Sequence, residues 1–183
     1  MNIGIIVQAR TGSKRLPSKI LLKIDNKRIL EHLIKRLKKI KIKNKIIIAT
    51  TKNKSDKIIN KIAQNNDCYT FNGPSLNVLK RYYQAAKNFK LDVIVRVCSD
   101  SPFMDPAIIE KAIRIFKTKK YDYVSNIIRP TYPAGMSVEV FSFDTLKKVQ
   151  NSKTNNLEKE HVTPYIYRNY KKFKIKNFLI KKN

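Results

Sequence analysis

Between Gln8 and Lys19 the chain reads Gln-Ala-Arg-Thr-Gly-Ser-Lys-Arg-Leu-Pro-Ser-Lys. This places four cations, Arg10, Lys14, Arg15 and Lys19, around Gly12, Ala9 and the hydroxyls of Thr11 and Ser13. Such a string suits a polyphosphate. Amide N–H groups of a glycine turn converge on phosphate oxygens, and guanidinium forks neutralise them. The chain has only 4 glycines, so one placed here is expected to serve backbone geometry. The string is neither the Walker A pattern nor the Gly-x-Gly-x-x-Gly dinucleotide turn. On residue chemistry alone, a solvated basic loop accounts for it equally well.

Phosphate chemistry also needs a carboxylate for a divalent cation. With 40 Lys+Arg against 13 Asp+Glu, an acid at the end of an apolar run is informative. Asp100 is such an acid, in Cys98-Ser-Asp-Ser-Pro102 directly after Val93–Cys98. A turn cap or an ion pair with a lysine is the alternative reading of Asp100. Asp105 precedes Pro106 and reads as a helix cap followed by proline at the first helical position. A histidine–metal site is not expected, because the only histidines are His161 and His32, the latter on a basic helix.

The elements that must position these residues follow from alternating hydrophobic periods. Apolar runs predict strands at Ile3–Val7, Lys45–Thr50 and Val93–Cys98, with later strands at Tyr121–Asn126, Ser137–Phe141 and Phe173–Ile180. Helical spacing appears in Ile29, Leu30, Leu33, Ile34, Leu37 and Ile40, and again in Ile58, Ile59, Ile62 and Ala63 after a Ser55 cap. It recurs from Val78 to Phe89, from Ile108 to Phe116, and around Glu158–Tyr170. Strands alternating with helices predict an α/β fold with a mostly parallel sheet covered on both faces. Ligands in that architecture sit beyond the carboxyl ends of strands. Both the basic loop and Asp100 fall there.

At 183 residues and 42% hydrophobic content, the chain suits one globular domain. No 18-residue apolar run predicts membrane insertion, and the N-terminus lacks a signal-peptide pattern. Two cysteines, Cys68 and Cys98, are too few for a disulfide framework, so a cytoplasmic enzyme with reduced thiols is expected. The net charge of +27 suggests a polyanion as partner. The lysines are scattered over almost every element, however, which favours a basic surface steering small anions over nucleic-acid binding.

The order of residues in the loop adds more. Ala9-Arg-Thr-Gly-Ser-Lys-Arg-Leu-Pro-Ser-Lys19 resembles the signature of the cytidylyltransferases that make CMP-activated acidic sugars, the acylneuraminate and 3-deoxy-manno-octulosonate enzymes. With Gln8 before it, the string is most similar to the spore-coat polysaccharide protein F subfamily. The likeness continues through Ile48-Ala-Thr-Thr with Asp56, Phe71-Asn-Gly and Val78-Leu-Lys-Arg-Tyr-Tyr-Gln-Ala-Ala. It extends to Val95-Arg-Val-Cys-Ser-Asp-Ser-Pro, Tyr132-Pro-Ala-Gly with Val138-Glu-Val-Phe, and Glu160-His-Val-Thr-Pro-Tyr-Ile-Tyr.

The resemblance implies a three-layer αβα, Rossmann-like nucleotide-diphospho-sugar transferase fold. It also implies CTP as nucleotide, Mg²⁺ as cofactor, and CMP transfer to an acidic or related sugar in surface polysaccharide biosynthesis, with release of pyrophosphate. By position in the motifs, Arg15, Lys19 and Asp100 are its catalytic residues, with Asp100 on the metal. Residues from Gln8 to Lys14, together with Arg81, would contact the nucleotide. Tyr132, Gly135 and Glu139 would form a sugar-side wall, and His161 would lie near a homodimer interface. Ser99 departs from the glycine usual before this aspartate, and is tolerated where its φ is negative. Residues 1–183 are expected to form one nucleotidyltransferase domain without the relatives' C-terminal portion, which usually carries a further acidic motif. A shortened nucleotide-binding or scaffolding relative without turnover is the alternative.

Overall fold

The computed structural model describes residues 1–13 and 16–180. The first apolar run is β1 (Ile3–Gln8). Past the basic loop, β2 (Lys23–Ile24) and β3 (Lys27–Arg28) form a small hairpin that leads into α1 (Ile29–Leu37). Asp25 and Asn26 turn the hairpin at φ 47° and 62°. Short Asx side chains tolerate this left-handed geometry. Next come β4 (Lys45–Thr51), α2 (Lys57–Asn65), β5 (Tyr69–Gly73), α3 (Val78–Asn88), β6 (Val93–Cys98) and α4 (Pro106–Lys117). The remainder is β7 (Tyr123–Ser125), β8 (Glu139–Ser142), α5 (Phe143–Gln150), α6 (Asn156–His161), α7 (Pro164–Arg168) and β9 (Ile175–Asn177).

Seven strands form one sheet in the order β5-β4-β1-β6-β8-β7-β9. The first four are mutually parallel, β8 runs antiparallel to both neighbours, and β9 is parallel to β7. The sheet is thus mostly parallel and packed between helices, as expected. Its two faces are sorted by the strand period of two. Ile5, Val7, Val93, Val95 and Val97 pack with α1, α2 and α4. Ile6, Ile47 and Ile94 point the other way, onto Val78 and Tyr82 of α3 and Leu146 of α5. Residues two further along on that second face are Gln8 and Arg96, where the apolar layer gives way to polar groups.

Several boundaries differ from the sequence reading. Ser55 lies inside a 3-10 turn, Lys54–Asp56, and α2 starts behind Asp56 instead. Ile40 lies beyond the end of α1. The helix expected over Glu158–Tyr170 is broken into α6 and α7 at Val162, with φ 73° and ψ −54°. Thr163 N–H donates to His161 O at 2.9 Å across it, a tight turn rarely adopted by a β-branched residue. Pro164, which has no N–H, then occupies the first turn of α7. The late strands are shorter than expected. Asn126 leaves the ladder to accept from Val138 N–H at 2.9 Å, and Asn177 ends β9 by accepting from Ile128 N–H.

Candidate active site

Beyond the carboxyl ends of β1 and β6 lies a cavity of about 460 Å³. Gln8, Arg10, Ser13 and Lys19 line one side, Arg96 and Asp100 another, with Arg81 from α3 and Glu160 and His161 from α6. The sequence reading placed Ala9 here as well, and it lines the cavity. Lys14 and Arg15 lie outside the described residues.

The loop after β1 is anchored from beneath by Asp56. Its Oδ1 accepts from the Thr11 N–H at 2.8 Å and the Thr11 hydroxyl at 2.7 Å, and its Oδ2 accepts from the Thr51 hydroxyl. Burial alone would raise the Asp56 pKa. The bonds from Thr51 and Thr11, with the nearby Arg81 charge, outweigh it and hold the carboxyl below its usual value. Thr11 in turn accepts from the Ser13 and Ser18 N–H groups at 2.9 and 2.8 Å. Thr11 therefore fixes the loop rather than facing the cavity. Gly12 also departs from expectation: its φ is not left-handed, and an added Cβ would meet none of the described residues within 4 Å. Among the described residues of this loop, Ser18 is left-handed, at φ 54°.

At the mouth of the cavity Lys19 Nζ donates to Asp100 Oδ2 at 2.5 Å, with both side chains about a third to two-fifths exposed (32% and 42%). The lysine ion pair that was the alternative reading of Asp100 is therefore formed. Arg10 faces Glu160 across the same opening at 3.4 Å. Exposed pairs of this kind contribute roughly 0–1 kcal/mol, so either can be exchanged for a ligand at little cost. Ser99 has no left-handed backbone, as its tolerance required. Asp105 caps α4 by accepting from Ala107 N–H at 2.9 Å.

The inner wall is built differently. Arg81 is 1% exposed, and its Nη1 donates to Pro74 O at 3.0 Å. Gly73 makes room for it, because a Cβ there would lie 2.8 Å from Arg81 Cγ. Burial lowers the Arg81 pKa. Arg96 pairs through Nη1 with Glu139 Oε2, while Glu139 Oε1 accepts from the Tyr123 hydroxyl at 2.6 Å and the Thr163 hydroxyl at 2.5 Å. Burial would lower the Arg96 pKa, but Glu139 raises it well above the ordinary arginine value. Burial also pushes the Cys98 thiol up, so it stays protonated at neutral pH.

The three residues expected on the sugar side, Tyr132, Gly135 and Glu139, do not themselves line the cavity. Glu139 is 1% exposed with both oxygens engaged, so it acts on the cavity through Arg96. The Tyr132 hydroxyl accepts from Lys111 Nζ at 3.0 Å and donates to Leu179 O at 3.3 Å, its ring packs edge-on against Phe178, and it does not line the cavity. Gly135 turns the intervening loop at φ 84°, also off the cavity. Sequence reasoning missed Arg96 and Asp56 as site-building residues. The signal for Arg96 was a lone cation in the apolar run Val93-Ile-Val-Arg-Val-Cys98.

Among the described residues a divalent cation would find two cavity-lining carboxylates, Asp100 and Glu160, each held only by an exposed pair with a cation. Among the described residues, no group of three His, Cys, Asp or Glu side chains could hold a metal ion. This donor set suits Mg²⁺, which keeps several waters and binds through one or two carboxylates plus substrate phosphates. No helix among the described residues is long and apolar enough to cross a membrane.

Comparisons with known proteins agree with this arrangement. The chain is 44% identical over 177 residues to an uncharacterized protein of Methanocaldococcus jannaschii, covering 96% of this chain and 71% of that protein. It is 31% identical over 174 residues to the spore coat polysaccharide biosynthesis protein SpsF of Bacillus subtilis, covering 90% and 70% of the two chains. A solved cytidylyltransferase from Leptospira borgpetersenii superposes with a TM-score of 0.95 at 32% identity, covering 100% of this chain and 77% of that one. The model of one family, described as cytidylyltransferase, matches residues 4–183. The sheet is thus that of a nucleotidyltransferase, and the chain belongs to the cytidylyltransferase family.

Proposed function

We propose that this chain transfers the CMP group of CTP to an acidic or related sugar in surface polysaccharide biosynthesis. The observation that carries the reading is the meeting of Lys19 and Asp100 at 2.5 Å, one from each side of the cavity mouth. A cation and a carboxylate so placed can separate, the one to a phosphate and the other to a metal ion. Arg10 and Lys19, with Lys14 and Arg15 of the same loop, hold the triphosphate. Arg81 contributes a buried positive charge beside the nucleotide. Asp100 holds Mg²⁺, which when bound neutralises charge on the phosphate oxygens.

A sugar hydroxyl oxygen forms the new bond to the α-phosphorus, the bond to the β-phosphate oxygen breaks, and pyrophosphate leaves. The hydroxyl proton passes to solvent. The residues of this chain contribute by orienting both reactants and by electrostatics fixed in advance. The test is pyrophosphate release from CTP and Mg²⁺ with 3-deoxy-manno-octulosonate and N-acylneuraminates as acceptors. Release with one of them is expected. CTP binding without release with any acceptor would leave a nucleotide-binding protein instead.

A further inference from the structure

Arg96 is an unusual residue for its position. It stands in a strand otherwise made of Val, Ile and Cys, on the face where Ile94 packs into the core. A buried ion pair rarely stabilises a fold more than apolar residues of similar volume would. The Arg96–Glu139 pair therefore calls for a reason other than stability. Its geometry supplies one. Glu139 takes only Nη1, and the outer nitrogen, Nη2, has a long 3.4 Å contact to Gln8 Oε1, itself a cavity-lining group. Arg96 Nε is buried without a partner. The guanidinium is thus gripped through Nη1, while Nη2, beside the cavity-lining Gln8, keeps donor capacity for a ligand in the cavity that Arg96 lines.

The grip is itself braced. Glu139 is held by Tyr123 on β7 and by Thr163, which directly follows the strained turn at Val162. His161, the last residue of α6 before that turn, lines the cavity. Arg10 and Lys19, by contrast, sit at the mouth on exposed side chains. A triphosphate bound at the mouth leaves the floor for the other reactant.

We infer that Arg96 is a specificity-determining residue, donating hydrogen bonds from the cavity floor to the carboxylate of the acceptor sugar, with Glu139 as its positioning residue. This rests on the proposed CMP transfer to an acidic sugar. Guanidinium forks match carboxylates in a way that an ammonium does not. Arg96→Lys keeps the charge beside Glu139 and removes the fork.

The experiment measures steady-state pyrophosphate release, varying CTP and then 3-deoxy-manno-octulosonate or N-acetylneuraminate. Arg96→Lys is expected to raise the KM for the sugar acid at least tenfold and to change the KM for CTP less than twofold. The double variant Arg96→Met/Glu139→Gln, which leaves no unpaired buried charge, is expected to show the same split and guards against a folding defect in the first. If the parent turns over a sugar acid and both variants keep its KM, Arg96 has no such role while the transfer reading stands. If the parent turns over neither acid, the transfer reading fails, and this assignment fails with it.

Discussion

The mouth and the floor of the cavity use the same charges in opposite ways. At the mouth, Lys19–Asp100 and Arg10–Glu160 are exposed pairs between residues far apart in the chain. On the floor, Arg96 and Glu139 are 11% and 2% exposed in their side chains and locked by Tyr123 and Thr163. Pairs in water are weak and exchangeable, whereas a buried pair cannot lose one member without stranding the other. On the proposed function, a charged ligand would rearrange the mouth, while the floor would keep its shape.

The buried pair on the floor is most vulnerable at Glu139. Glu139→Ala strands the Arg96 charge and is expected to lower unfolding free energy by about 3–5 kcal/mol, read by urea denaturation. Glu160→Ala at the mouth serves as its control, and a loss of similar size there would erase the distinction. In activity, Asp100→Asn is expected to reduce turnover about a hundredfold or more with the fold intact, checked by pyrophosphate release and a thermal melt.

Asp56 joins the two regimes, because it is the buried anchor of a loop at the mouth. Its depressed pKa means its stabilisation is fully present above the ordinary aspartate value of about 3.9 and is lost as pH falls through the lower folded value. Melting temperature should therefore fall more steeply below about pH 4 in the parent than in Asp56→Asn. At neutral pH that variant should cost about 2 kcal/mol, the range of hydrogen bonds to a charged group. Glu160→Ala, the smallest effect, should change stability by under about 1 kcal/mol.

How much of this could be read beforehand depended on whether the signal was local. The parallel strands β1, β4 and β6 announce themselves as continuous apolar runs, and Asp105 with Pro106 marks the start of α4 from two adjacent residues. The basic loop and Asp100 were legible because few acids and glycines compete for attention in this chain. Helix α5 was not, since only Leu146 and Val149, with Thr145, are buried along its 8 residues. Edge strand β5 carries exposed Tyr69 and Asn72, so it lacks a buried-strand pattern. The roles of Thr11, Asp56 and Glu139 depend on partners 45, 45 and 43 positions away, which no window along the sequence can see.

The division into mouth and floor is tested most directly by calorimetric titration of CTP with Mg²⁺ into three chains: parent, Lys19→Ala and Arg96→Lys. Lys19→Ala is expected to weaken CTP binding about tenfold or more, the loss of roughly one charge-assisted bond. Arg96→Lys should leave CTP affinity within twofold of the parent. Equal weakening by the two variants, or weakening by Arg96→Lys alone, would contradict the division.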